Sequence, residues 1–129
     1  MGFHHVELWM ADLAAAAPRW GWLLGELGWR PLDAWPAGQS WQSPGGAYLV
    51  LEESSALRRE APYDRLRPGL NHVALWAPDP RTVDRLVTAA PAHGWSLLFA
   101  DRHPFAGGEQ NYAAYLEDTD GFEVEVVAR

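Results

Sequence analysis

Two histidines open two nearly identical strand-like words: His5 begins HVELW, and His72 begins HVALW sixty-seven residues later. Successive side chains in a strand point to opposite faces. His5, Glu7 and Trp9 therefore share one face of the first word, and His72, Ala74 and Trp76 share one face of the second. Two further strand-like words come late in each half of the chain. In AYLVLEE, Leu49 and Leu51 oppose Tyr48, Val50 and Glu52; in GFEVEVVA, Phe122, Val124 and Val126 oppose Glu123, Glu125 and Val127. Helices must cover the apolar faces, so the opposite faces carry His5, Glu52, His72 and Glu125. A half-buried carboxylate is costly unless it is paired or bound to a metal. Two imidazoles and two carboxylates form a donor set suited to one divalent ion. The plainer alternative is a solvated sheet surface that carries His and Glu without further role.

Other residues on these faces have chemistry of their own. Glu7 and Glu123 lie one strand repeat from the ligand set and are candidates for a general base, or for partners that orient a histidine. Solvated strand glutamates are the simpler reading of both. Trp9, Tyr48 and Trp76 share the same faces and could stack on a flat ligand. The chain holds eight tryptophans, an excess that core packing explains as readily as an aromatic pocket. The polar segment DRHPFAGGEQNY, 101–112, reads as a surface loop or as a mobile lid that brings His103 and Tyr112 to a cavity mouth. His4 is expected on the helix side as a packed histidine, and His93 at a helix C-terminus in a structural role.

These residues need a scaffold, and the chain spells it twice. Asp12 is a plausible N-cap before an apolar-rich stretch reaching Leu27, and Gly28 falls where a helix is left. Pro18 predicts either a kink or a late helix start near residue 18. The second copy runs from APDP through a helical stretch over 81–93 to Gly94. Strands are expected at 29–34, 39–43 and 47–53 in the first copy, and at 95–100, 111–116 and 122–127 in the second. Each half reads strand, helix, strand, strand, strand. The expected organisation is one α+β domain of two tandem βαβββ modules, 1–53 and 71–129, joined by a linker at 54–70.

Composition narrows the chemistry. The chain has 129 residues, enough for a real core, and a formal net charge of −7, which disfavours nucleic acid. It has no cysteine, hence no disulfide, thiolate metal site or cysteine nucleophile. All ten basic residues are arginine, which excludes a Schiff-base or phosphate-loop lysine. No apolar run approaches the roughly 20 residues that span a bilayer. The start, MGFHHVELW, lacks the features of a signal peptide. A cytoplasmic protein is expected, with no membrane partner.

In order and spacing, HHVELWMADL, YLVLEE, NHVALWAPD and EDTDGFEVEVV resemble the vicinal oxygen chelate superfamily, which includes glyoxalase I, extradiol dioxygenases and bleomycin resistance proteins. EDTDGFEVEVV is similar to the family's Asp-Pro-Asp-Gly turn, with Thr119 for the proline. The resemblance covers nearly the whole chain. It implies curled sheets around a shared cavity, modules often combined across a homodimer, and one divalent ion (Zn, Ni, Mn or Fe). The usual ligands would fall on His5, Glu52, His72 and Glu125. Counting from Gly46 as from Gly121 lands instead on Val50. Without Glu52, the remaining His5, His72 and Glu125 resemble a two-histidine-one-carboxylate triad with open positions.

Three functions follow from these readings. The first is a metal-dependent enzyme of glyoxalase or epimerase style, an isomerase or lyase acting on a small oxygenated substrate, with Glu125, Glu7 and Glu123 as the carboxylates nearest the chemistry. The second is a bleomycin-resistance-like protein that sequesters an aromatic antibiotic in a groove lined by Trp9, Tyr48, Trp76, His103 and Tyr112. The third is an Fe(II) extradiol-type dioxygenase.

Overall fold

Asp12 starts the first helix as its spacing predicts: its carboxylate accepts the Ala15 N–H at 3.1 Å. The computed structural model describes residues 2–129. The strands and helices are β1 (His5–Trp9), α1 (Leu13–Glu26), β2 (Arg30–Trp35), β3 (Gly38–Gln42) and β4 (Tyr48–Glu52), then β5 (His72–Ala77), α2 (Pro80–Ala89), β6 (Trp95–Leu98), β7 (Ala113–Asp118) and β8 (Glu123–Ala128). The fold is α+β and consists of two βαβββ modules. The chain divides into two compact units, Met1–Ala61 and Pro62–Arg129.

In the first unit the strand order is β1-β4-β3-β2, and in the second β5-β8-β7-β6. β1 runs parallel to β4 and β5 parallel to β8; the remaining pairs are antiparallel. A parallel pair needs a crossover, and each unit's helix and two intervening strands supply it. In the first unit, Ala16, Trp20, Leu23 and Leu24 of α1 are buried with Leu8, Leu49 and Leu51 of the sheet. In the second, Val83 and Leu86 of α2 are buried with Leu75, Leu116, Val124 and Val126. Those are the apolar faces that strand alternation assigns to the core.

The helix ends follow local chemistry. Gly28 takes a left-handed φ of 84°, and the Trp29 N–H closes onto Leu24 O at 2.9 Å, a Schellman-type stop. Gly94 ends the second helical stretch in the same conformation, at φ 82°. Three expectations need correction. α1 spans Leu13–Glu26 with Pro18 inside it, so the late start is wrong; Ala14, whose carbonyl loses its helical donor at Pro18, is exposed to water. The second helical stretch is not one α-helix over 81–93. It changes to a 3₁₀ turn at Ala90–His93, because Pro91 has no N–H to continue the α ladder. β6 ends at Leu98, since Phe99 leaves the extended region with φ 56°.

The segment between the modules is not a featureless tether. In the first unit, Arg59 donates to Ala11 O at 2.8 Å and pairs with Glu53 at 3.4 Å. In the second unit, Tyr63 stacks on Phe122 with ring centroids 4.1 Å apart, and Arg65 donates to Gly121 O at 3.0 Å.

Candidate functional site

The turn EDTDGF is built by one side chain. Asp118 accepts the N–H groups of Asp120 and Phe122, each at 2.9 Å, and Gly121 takes φ 88°. This turn fixes the register of β7 against β8. Glu117 faces Glu123 and Tyr115 faces Glu125. β5 then lies on the other side of β8, with His72 opposite Glu123 and Ala74 opposite Glu125. His72, Glu123, Glu125 and Tyr115 therefore meet on one sheet face.

Their polar atoms form a chain. His72 Nε2 lies 3.3 Å from a Glu125 oxygen, and His72 Nδ1 lies 3.4 Å from a Glu123 oxygen. Asn71 Oδ1 is closer to Nδ1, at 2.7 Å. Arg65 closes the far end, with Nε 3.1 Å from Glu123 and Nη1 2.5 Å from Glu117. Glu123 is only 7% exposed, so both of its oxygens are committed inside the protein. At the near end, burial pushes the Tyr115 phenol up to about 12, helped by its hydrogen bond to the Glu125 carboxylate and by the charges of Glu125 and Glu123. The backbone of Gly107 lies directly over this pair. A Cβ at Gly107 would stand 2.5 Å from the Tyr115 hydroxyl and 3.2 Å from Glu125 Oε1.

The first unit uses the same register with different residues. His5 faces Tyr48, Glu7 faces Val50 and Trp9 faces Glu52. The positions that hold Glu123 and Glu125 in the second unit hold Tyr48 and Val50 here. Glu52 lies at the opposite end of the strand pair from His5, about 13 Å along the strand at some 3.3 Å per residue, and its carboxylate accepts Trp35 Nε1 at 3.3 Å. Glu52 thus lies away from His5, and Val50, reached by the count from Gly46, is the position that matches Glu125. His5 instead stacks on Tyr48 with centroids 4.7 Å apart and planes 6° from parallel. His5, Glu7, Tyr48 and Val50 line a pocket of about 480 Å³ together with Leu32, Asp33, Trp35 and Ser40.

Several placements differ from expectation. His4 is exposed, not packed under the helix; its Nδ1 lies 2.8 Å from His5 Nδ1. Tyr112 donates its hydroxyl to Asp84 of α2 at 2.5 Å, a contact on the exposed surface. His103 packs edge-on to Tyr112 at 6.5 Å. Of the loop 99–112, Gly107 is the residue that reaches Glu125. Trp9 and Trp76 stay 42% and 57% exposed, which fits ligand contact as well as any other cover. Trp9 donates to Glu7 at 2.7 Å, and the Arg129 guanidinium lies 4.7 Å over the Trp76 ring. Sequence reasoning passed over Arg65, Asn71, Gly107, Tyr115 and Trp35. A signal for Tyr115 was present: a hairpin centred on Asp120 sets 115 against 125.

The sequence profile of the Glyoxalase/Bleomycin resistance protein/Dioxygenase superfamily matches residues 4–115. The chain belongs to that superfamily. The uncharacterized protein YqjT of Bacillus subtilis (strain 168) is 42% identical over 125 residues, 97% of each chain. A Bacillus halodurans crystal structure provisionally named a glyoxalase is 38% identical, with TM-score 0.91 over 98% of this chain and 95% of the other. A glyoxalase/bleomycin resistance protein from Albidiferax ferrireducens T118 shares the fold at 24% identity, with TM-score 0.77 over 98% of both chains.

Members of this superfamily generally bind a divalent metal, and the donor atoms can be tested against that role. Among the described residues, no three His, Asp or Glu side chains gather into a metal-holding group. Glu123 lies beside His72 Nδ1 and is taken by Arg65, which leaves His72 Nε2 and Glu125 as the pair whose donor atoms could address one ion. Asn71 Oδ1 is the nearer acceptor to Nδ1, at 2.7 Å, and Nε2 faces the Glu125 carboxylate at 3.3 Å. Val50 offers no donor in the first unit, where His5 is the imidazole left.

Proposed function

We propose that the protein is a metal-dependent vicinal-oxygen-chelate enzyme acting on a small oxygenated substrate, with His72 and Glu125 as ligands. One observation carries the reading: His72 Nε2 and Glu125 Oε2 lie 3.3 Å apart, with the other ring nitrogen 2.7 Å from Asn71 Oδ1. With Nε2 unprotonated, both atoms could serve as donors to one cation. In the first unit Val50 stands at the position matching Glu125 and offers no carboxylate there, while Glu52 lies two residues further along the strand. A bound divalent ion would supply Lewis acidity toward neighbouring substrate oxygens.

The chain's own residues divide the remaining work. Glu7, exposed and lining its pocket, is the carboxylate placed to move a proton, with Trp9 Nε1 orienting it. Glu123 is paired with Arg65 and lies beside His72 Nδ1. Tyr115 keeps its proton and donates a hydrogen bond to Glu125, with the Gly107 backbone packed close to the pair.

Elemental analysis of tag-free protein purified without chelator tests the reading. About one ion per chain is expected, falling to none in His72→Ala. Iron would place the chemistry with dioxygenases; nickel, zinc or manganese would place it with isomerases and lyases. A protein that takes up no ion from any of these solutions refutes the proposal.

A second reading rests on the first-unit pocket. Its lining combines Glu7 and Asp33 with the rings of Trp35, Tyr48 and His5, and holds no arginine. Such a pocket suits sequestration of a flat, cationic drug. Tryptophan-fluorescence titration with aromatic antibiotics tests it; no quenching at saturating drug counts against it.

A further inference from the structure

The Arg65 carbonyl can only accept, and Asn71 Nδ2 donates to it at 3.2 Å. That contact fixes which way the Asn71 amide points. Its oxygen must then face His72 Nδ1, at 2.7 Å. Glu123 at 3.4 Å lies beyond the ordinary N–H···O range of about 2.7–3.2 Å, so Asn71 makes the effective bond to the ring. Arg65 is itself held by three partners, Glu117, Glu123 and Gly121 O. With its side chain held at three points, its carbonyl is a fixed peg at the foot of β5.

We propose that Asn71, pegged by the Arg65 carbonyl, is a positioning residue that locks His72 in the Nδ1–H tautomer and so presents the Nε2 lone pair on the Glu125 side. An imidazole that binds a cation must offer a lone pair, and the hydrogen bond at its other nitrogen decides which one. The inference rests on the metal-dependent reading for its purpose, but its geometry stands without a metal.

The test begins on metal-free protein with nitrogen-15-labelled histidine, under mildly alkaline conditions where a free imidazole is neutral. Long-range nitrogen–proton spectra separate the two tautomers. Wild-type His72 is expected in the Nδ1–H form alone, and Asn71→Ala in a mixture. Titration with Co²⁺ should then show affinity lower by about 10–100-fold in Asn71→Ala, with Asn71→Asp, which keeps an acceptor for Nδ1 but loses the donor to the Arg65 carbonyl, in between. An Nε2–H wild type overturns the proposal, as does an Asn71→Ala protein with an unchanged tautomer or unchanged Co²⁺ affinity. If no protein binds Co²⁺, the metal reading fails and the tautomer spectra alone decide this one. If Asn71→Ala does not fold, the wild-type and Asn71→Asp spectra decide it.

Discussion

Replacing Gly107 with alanine adds one methyl group to the Tyr115–Glu125 pair, and the structure says what that methyl meets. Its Cβ would stand 2.5 Å from the Tyr115 hydroxyl, whereas ordinary contact begins near 3.4 Å. The hydroxyl must retreat by about 0.9 Å, which takes it off Glu125. Overpacking of this kind costs about 1–3 kcal/mol. Gly107 does not occupy the left-handed region, so the backbone tolerates alanine and the unfolded chain loses entropy in its favour, by about 0.4–1 kcal/mol. The net expectation is a loss of about 1–2 kcal/mol. The control is Tyr115→Phe. Without the hydroxyl, the nearest remaining atoms are Glu125 Oε1 at 3.2 Å and the Tyr115 ring at 3.4 Å. In that background Gly107→Ala should be nearly neutral. Urea unfolding followed by tryptophan fluorescence gives the four stabilities, and the coupling between the two sites should be at least about 1 kcal/mol. Additivity of the two substitutions within about 0.5 kcal/mol would refute the placement of the loop over Tyr115.

Three further outcomes follow from the geometry. Glu125→Gln should weaken metal binding by more than about 100-fold, beyond the effect typical of an outer partner, while Glu52→Gln leaves it unchanged; equal losses by calorimetric titration would restore Glu52 to the ligand set. Asp12→Ala removes the α1 cap and should cost about 1 kcal/mol, seen as a Tm lower by about 4 °C; an unchanged melt contradicts the cap. Alkaline titration of metal-free protein by ultraviolet absorbance should show one phenol ionising near 12, absent in Tyr115→Phe. Because that pKa is raised in the folded state, the stabilisation is complete below the ordinary tyrosine value of 10.0 and is lost as pH rises from there through about 12. The shift corresponds to less than about 2 kcal/mol once solvent screening of this half-buried group is allowed for. A Tyr115→Phe protein that loses as much stability as wild type over this range counts against it.

The duplication was legible because it lives in local chemistry. HVELW and HVALW, the cap Asp12, and the stops Gly28 and Gly94 each act within a few residues. Strand faces were legible for the same reason, since alternation needs no knowledge of neighbours. The neighbours of Glu52 were not, because they depend on which residue β1 selects as partner: the ladder sets Trp9 against Glu52, and Glu7, two residues along from His5, against Val50. Asn71 and Gly107 were missed because their importance is a contact made elsewhere in the chain, with His72 in one case and with Tyr115 in the other.

Charge balance across the ladders links what was legible to what was not. Directly opposed like charges destabilise a strand pair. In the first unit the rule is obeyed: Glu7 keeps the carboxylate and its partner at 50 is valine. In the second unit the same pair is reversed, with Ala74 opposite Glu125. Each module thus carries one carboxylate at this step of the ladder, on the first strand in one and on the last strand in the other. One pair breaks the rule. Glu117 and Glu123 are direct partners across the β7–β8 hairpin, and a sequence that places Asp118 and Gly121 in the turn between them already dictates that opposition. Such a pair demands a cation over both side chains. Arg65, 2.5 Å from one and 3.1 Å from the other, is that cation. The apparent tether between the modules therefore carries a residue that the hairpin requires, and whose carbonyl meets Asn71, the partner of His72.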